Sequence, residues 1–294
     1  MACSGDYNHI ESSITLEEKL KALREWEGTP SSSSDNMNTT TTTLFSAFND
    51  LSDLFECANS ILHMPVVHGH DKWTDNLLDE SLRLLELCSI ARDFLLQMKE
   101  HLQDLQSALR RGRIGEYSGM ENMFRDYVLT KKKMKKQLDK GLKGLKRADS
   151  KWASSSLLLL NKDSPFVAIV TVLREARSIT VSIFESLLCF ISGSGLKCSR
   201  RRKSLVAKYW VGTRRIACEE EIEKMSEAQR VDASLYAFYC QNFHEDLDPV
   251  LQPEYARRQL EGMDVSIQTL GDGLENLFRS LISTRVLLLN ILNH

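Results

Sequence analysis

The chain has 294 residues, of which 42% are hydrophobic, so it can bury a sizeable core and is not expected to be disordered. Its formal net charge of -2 excludes a uniformly basic or acidic protein, although the charge is distributed unevenly along the chain. Only five prolines occur, and the long intervals between them favour long helices.

The N-terminal region predicts an arm that comprises a short helix and a linker. Residues 14–26 place Leu16, Leu20, Leu23 and Trp26 on one helical face, and Gly28, Thr29 and Pro30 end this pattern. Residues 31–43, SSSSDNMNTTTTT, carry almost no apolar side chains and predict a disordered Ser/Thr-rich linker. We therefore predict an N-terminal arm at residues 1–43 and a helical domain at 44–294.

The helical domain shows apolar residues at spacings of three and four over several long segments. The clearest segment, residues 77–111, predicts one helix of about 50 Å at about 1.5 Å per residue. In the last segment, Gly271, Asp272 and Gly273 predict a kink. The predicted helices are 44–62, 77–111, 117–146, one that starts at Pro165, 205–225, 227–243, and the region of 267–291. The fold class is therefore all-α, an elongated helical bundle with long antiparallel helices and coiled-coil-like packing.

Two apolar segments resemble membrane spans but are better interpreted as core helices. The helix that starts at Pro165 contains Arg174, Glu175, Arg177 and Glu185. Each central charge costs about 2.5 to 3.5 kcal/mol on insertion scales. In the C-terminal segment, nine residues follow Arg285, which is too few for a span of about 20 residues. We expect no transmembrane segment.

The strongest electrostatic feature is a basic stretch, residues 131–147, with nine basic side chains and the single acid Asp139. Because Met134, Leu138 and Leu142 recur within it, the stretch predicts a basic amphipathic helix. The simplest interpretation is a bundle helix with a solvated outer face; the alternatives are contact with anionic lipid, an acidic protein or nucleic acid. Its candidate contact residues are Lys131, Lys132, Lys133, Lys135, Lys136, Lys140 and Lys143.

A second basic group comprises Arg200, Arg201, Arg202 and Lys203, and the Ser204 that follows is a candidate phosphorylation site. The same letters resemble a nuclear-import signal. Both motifs arise often by chance, so a solvated loop is the simpler interpretation.

No motif predicts catalysis or a cofactor. His63, His68, His70 and Asp71 form the only local group with metal-binding side chains, and a surface loop explains them better than a zinc site. The glycine pairs do not form a dinucleotide-binding or phosphate-binding loop, and no nucleophile motif occurs. We therefore expect a protein that is not an enzyme, with no cofactor and no metal. Seven cysteines without paired spacing indicate free thiols.

Three segments carry a family resemblance: LLDESLRLLELCSIARDFLLQMKEHLQDLQSALRR, YVLTKKKMKKQLDKGLKGLKR and GLENLFRSLISTRVLLLNILNH. With these segments the chain resembles, over about residues 44–294, a plant-specific family of unknown function that is associated with the Bypass proteins of root and shoot development. The resemblance implies an intracellular helical protein without an established catalytic mechanism, so no site residues are transferred from it.

These observations favour a noncatalytic interaction or scaffold protein acting in plant root and shoot development. The alternative is a peripheral membrane regulator that binds anionic lipid through the basic amphipathic helix. We expect protein partners, with an anionic membrane surface as the alternative, and nucleic acid is disfavoured because no recognition motif accompanies the charges. The expected location is cytoplasmic, with peripheral membrane and nuclear locations left open.

Overall fold

A computed structural model describes residues 4–28, 38–63, 71–111, 120–153, 165–192, 226–241 and 253–293. Every regular element in these ranges is an α-helix, which confirms the all-α prediction. The seven helices are α1 (Ser4–Gly28), α2 (Asn38–Leu62), α3 (Asp71–Arg111), α4 (Met120–Ala153), α5 (Pro165–Ser192), α6 (Glu227–Gln241) and α7 (Pro253–Asn293). Their buried apolar side chains form one continuous core to which all seven helices contribute.

The bundle is built around α3 and α7, which share the largest interface of the described residues. Each has 41 residues and therefore spans about 60 Å. The two helices are antiparallel: Arg110 near the end of α3 pairs with Glu261 near the start of α7, and Arg92 pairs with Glu275 farther along. At the other end, Arg285 Nη1 donates to the Leu78 carbonyl oxygen at 2.6 Å.

Helix α2 packs parallel to α7, and glycine allows the two to approach closely. A Cβ atom on Gly273 would lie 3.0 Å from Phe45 Cδ2 and 3.2 Å from Phe48 Cβ. Farther along, the hydroxyls of Ser52 and Ser280 lie 2.7 Å apart in the core. Helix α7 is continuous from Pro253 to Asn293 and therefore passes without a break through residues 271–273, where the sequence predicts a kink. The glycine at 273 serves packing instead.

Helix α4 lies antiparallel to α3, which confirms the predicted arrangement for this pair. Leu87 of α3 faces Gly141 of α4, where an added Cβ would lie 2.9 Å from Leu87 Cδ1. At the opposite end, His101 Nε2 lies 3.0 Å from Thr130 Oγ1. Gly141 lowers the helix propensity of α4, and in return it brings the two helices close together.

Helices α1 and α5 cover the remaining sides of α2. Leu16, Leu20 and Leu23 of α1 are buried in the common core, and Lys19 pairs with Asp53 of α2 at 2.8 Å. The N-terminal helix therefore packs on the bundle. The expected linker differs from the structure at its C-terminal end, because α2 begins at Asn38 rather than at Leu44.

The other helix predictions have mixed outcomes. Helix α5 begins at Pro165 as predicted, and α6 corresponds to the helix expected from residue 227. The helix expected at 205–225 lies outside the described residues. Within the described ranges, no helix has the length and apolar character that crossing a bilayer requires. Among the described residues, Cys57, Cys88 and Cys189 do not form disulfide bonds.

Candidate interaction surface

Helix α4 presents an exposed row of basic residues on the side that faces away from the core. We call this row the basic face. Lys132, Lys136, Lys140, Lys143 and Arg147 follow one another at spacings of four, four, three and four residues, so they lie on one side of the helix. The exposed basic residues that belong to the face are Lys132, Lys133, Lys135, Lys136, Lys140, Lys143 and Arg147.

The opposite side of α4 is fully used by the bundle. Met134, Leu138, Leu142 and Leu145 are each at most 3% exposed and belong to the common core. The amphipathic character that the sequence predicts is therefore confirmed. Its physical origin is packing of the leucines against the other helices, which leaves the lysines in solvent.

Lys131 does not belong to the basic face, in contrast to the prediction. Its Nζ lies 2.8 and 2.7 Å from the two carboxylate oxygens of Asp232 on α6, and the Lys131 side chain is only 11% exposed. The Tyr127 hydroxyl donates to the same carboxylate at 2.9 Å. Burial, followed by the nearby Asp232 charge, raises the pKa of Tyr127 well above its usual value, so the phenol remains a donor. Lys131 joins α4 to α6 and is unavailable to a partner.

Helix α3 carries a second charged row, which the sequence analysis does not identify. Its acids follow at spacings of four, seven, seven, seven and four residues, so they lie on one side of the helix opposite the buried leucines. The signal was readable, because acids repeated every seven residues within the clearest heptad pattern. We call this row the acidic face. Its members, all exposed, are Asp75, Asp79, Glu86, Asp93, Glu100 and Asp104.

The acidic and basic faces lie side by side on the same outer surface. Because Leu87 meets Gly141 and His101 meets Thr130, residue levels on the antiparallel pair can be matched. Glu86 lies at the level of Lys143, and Asp93 lies at the level of Lys136. Three exposed leucines add apolar area to this surface: Leu82 (42% exposed), Leu96 (59%) and Leu129 (53%).

The side chains of the acidic face do not form ion pairs with those of the basic face. Across the described residues, the acids of the acidic face have no ion-pair partner, and neither do Lys133, Lys135, Lys136, Lys140 and Lys143 of the basic face. Elsewhere on the bundle, exposed charges do pair between helices, as in Lys19 with Asp53 and Arg92 with Glu275. The α3–α4 surface therefore combines two adjacent rows of opposite charge, in which the acids and Lys133, Lys135, Lys136, Lys140 and Lys143 have no ion-pair partner among the described residues.

A buried ion pair lies on the inner side of α3. Glu80 is 7% exposed, and its Oε1 lies 2.9 Å from Nε of Arg177 on α5, which is 2% exposed. Burial raises the pKa of Glu80 to about 7, and the opposing effect of Arg177, with smaller ones from Arg174 and Arg83, does not cancel it. Glu80 and Arg177 are therefore partners within the core, and the buried Glu80 carboxyl is protonated more readily than an exposed one.

Several predicted site residues lie outside the described residues. They are Arg200, Arg201, Arg202, Lys203 and Ser204 of the second basic group. His68 and His70, which the sequence analysis assigns to a surface loop, also lie outside the described residues. Among the side chains that the structure characterises, no group of three or more His, Cys, Asp or Glu residues is arranged to hold a metal ion.

The comparisons with known proteins give one match. No curated protein and no solved structure matches the chain. A family model described as Protein BPS1 matches residues 47–291, which extends from α2 to the last turns of α7 and includes both charged faces. This range agrees with the resemblance to Bypass-type proteins seen in the three sequence segments. The chain therefore belongs to the Protein BPS1 family.

Proposed function

We propose that this protein is a noncatalytic interaction or scaffold protein that binds other proteins through the outer surface of α3 and α4. Its setting, plant root and shoot development, is proposed from the resemblance to Bypass-type proteins. The observation that carries the molecular part is the pair of adjacent charged faces of opposite sign, in which the acids and five of the lysines have no ion-pair partner among the described residues. Such a surface is complementary to a protein that also carries both signs.

The arrangement of like charges supports a binding role because it does not help the helices to fold. Lys132, Lys136 and Lys140 succeed one another at four-residue spacing, and Glu100 and Asp104 do the same on α3. Like charges at this spacing destabilise a helix by about 0.2 to 0.5 kcal/mol per pair. A partner of opposite charge would relieve this repulsion.

Contact with anionic lipid is the second candidate, favoured by the basic face alone. Two features weigh against it. The apolar stripe of the predicted amphipathic helix, which includes Leu138 and Leu142, is in the core and cannot enter a bilayer. In addition, Glu86 and Asp93 lie on the same surface as the lysines and would be repelled by anionic headgroups. Both features favour a protein partner.

Proximity labelling in root and shoot tissue tests the proposal if matched variants are compared. Lys136→Glu with Lys143→Glu reverses two exposed charges of the basic face, whereas Lys21→Glu with Arg258→Glu makes the same charge change on α1 and α7. We expect the first variant, and not the second, to lose a discrete set of labelled proteins. An unchanged set in the first variant would contradict the proposed surface.

Flotation with anionic vesicles distinguishes lipid binding, the second candidate function, from protein binding. The proposal expects the wild-type protein to remain with the soluble fraction. Binding that the Lys136→Glu and Lys143→Glu variant loses, and the control variant keeps, would instead assign the basic face to lipid.

A further inference from the structure

The charged surface on α3 and α4 is complementary to itself, which identifies a specific partner. The two faces are rows of opposite sign on neighbouring antiparallel helices. A twofold axis along the groove between α3 and α4 would place α3 of one copy over α4 of a second copy. The acidic face of each copy would then meet the basic face of the other copy, so that the same contact occurs twice, as in an isologous interface.

We infer that this surface binds a second copy of the same chain, so that the protein forms a twofold dimer through α3 and α4. The inference rests on the proposed function, since it names the partner of the same surface. Matched levels assign the contacts: Glu86 faces Lys143 of the second copy, and Asp93 faces Lys136 of the second copy. Because the axis relates the copies, each pair occurs twice.

Other twofold arrangements of the same surface are electrostatically unfavourable. An axis perpendicular to the helices and within the surface would place α3 on α3, so that Glu86, Asp93 and their neighbours would face acids. The basic faces would meet in the same way. Like charges across an interface lower affinity, so the axis parallel to the helices is selected.

The size of the surface predicts a weak, salt-sensitive dimer. The basic face from Lys132 to Arg147 is about 22 Å long at about 1.5 Å per residue. Over this length, two helices each about 10 Å wide cover roughly 440 Å², which is less than about 800 Å² per partner, the size of a standard interface. The exposed Leu82, Leu96 and Leu129 supply some apolar area, and the charges supply orientation.

A charge-swap experiment tests the dimer by sedimentation equilibrium. At about 0.01 M ionic strength, where the Debye length is about 30 Å, we expect the wild-type protein at high concentration to have twice its chain mass of 33.5 kDa. At about 1 M salt, where the Debye length is about 3 Å, the mass should fall to one chain.

Two variants reverse the charges of the named pairs on one face each. Glu86→Lys with Asp93→Lys places lysines opposite Lys143 and Lys136 of the second copy, and Lys136→Glu with Lys143→Glu places glutamates opposite Asp93 and Glu86 of the second copy. Each variant alone should remain monomeric at low salt, with a Kd raised at least tenfold, and an equimolar mixture should recover the dimer. Glu18→Lys with Glu25→Lys, which changes exposed acids on α1 by the same charge, should dimerise like the wild type. Circular dichroism confirms that each variant is folded.

Three results would overturn the inference: a wild-type protein that stays monomeric at low salt, a dimer that survives in both charge-reversal variants, or a mixture of the two variants that stays monomeric. These results leave the proposed function intact if the labelled partner set still depends on Lys136 and Lys143. The opposite combination is also distinguishable. If the mixture recovers the dimer but Lys136→Glu with Lys143→Glu leaves the set of labelled proteins unchanged, the surface mediates self-association and does not bind the proposed partners.

Discussion

The inner and outer sides of α3 and α4 differ in whether their charged side chains form ion pairs within the bundle. On the inner side, Glu80 pairs with Arg177, and Lys131 pairs with Asp232, each bringing together helices distant in sequence. On the outer side, acids and lysines stand in separate rows, and most have no ion-pair partner in the described part of the chain. The difference teaches that the inner side determines stability, whereas the outer side is available for association. Substitutions on the two sides should therefore have separable effects.

The largest effect is expected from removing a core aromatic side chain. Phe94 of α3 is fully buried. Phe94→Ala should lower the free energy of unfolding by about 3 to 5 kcal/mol, because it leaves a cavity. The matched control is Leu96→Ala on the same helix, where the side chain is 59% exposed, and it should change stability by less than about 0.5 kcal/mol. Denaturant unfolding measures both; equal effects would contradict the assignment of inner and outer sides.

The buried Glu80 should make stability depend on pH. Its pKa is raised to about 7 from 4.5, chiefly by burial, so the folded state holds a proton that the unfolded state loses. The stability that this group contributes is complete below pH 4.5 and is lost as the pH rises through 7. At 1.36 kcal/mol per pKa unit the change is roughly 3 kcal/mol.

Glu80→Gln removes this dependence while it keeps the size of the side chain. Relative to the wild type, the variant should gain stability progressively between about pH 4.5 and 8. Phe94→Ala is the control, since it removes no ionisable group and its difference from the wild type should not vary with pH. A wild-type and a Glu80→Gln stability curve that run parallel would rule out Glu80 as the source.

Two glycines of α7 test the difference between inner and outer positions through smaller changes in stability. Gly273→Ala should destabilise by about 1 to 3 kcal/mol, because its Cβ would crowd Phe45 and Phe48 of α2. The gain in helix propensity, up to about 1 kcal/mol, offsets part of this loss. Gly271→Ala lies two positions earlier with no atom within 4 Å of the added Cβ, so it should stabilise by about that amount. Thermal unfolding distinguishes the two signs, and stabilisation by both substitutions would contradict the close packing at Gly273.

The smallest effect on stability belongs to the outer side. Glu86→Lys with Asp93→Lys should change the free energy of unfolding by less than about 0.5 kcal/mol per substitution, because both side chains are exposed and have no ion-pair partner among the described residues. The measurement is made under dilute conditions at high salt, where the chain is monomeric. A loss as large as that of Phe94→Ala would mean that the acidic face supports the fold.

Periodicity predicted the elements whose apolar residues decide their structure. The helix at residues 77–111 and the start of α5 at Pro165 followed from spacing and from helix-start chemistry. The early start of α2 did not, because Asn and Thr have low helix propensity. In the structure Thr41 is buried, and its hydroxyl donates to Glu227 of α6 at 3.4 Å. Tertiary contacts therefore overrode the local preference.

Part of the candidate surface was predictable because the spacing of apolar residues determines which side of a helix is buried. The exposed lysines of α4 follow from the pattern of Met134, Leu138 and Leu142, which fixes the buried side. The exclusion of Lys131 from the basic face could not be foreseen, because Asp232 lies 101 residues away in the sequence. The side-by-side placement of acidic and basic faces likewise depends on the antiparallel packing of α3 on α4.

Lysine reactivity along α4 tests the division between the two sides most directly. The folded protein, dilute and at high salt, is acetylated with a limiting reagent, and modification is measured site by site by mass spectrometry. We predict that Lys136 and Lys143 react rapidly, while Lys131, 11% exposed and held by Asp232, reacts slowly. Unfolding should abolish the difference. Equal reaction rates for Lys131 and Lys136 in the folded protein would contradict the account.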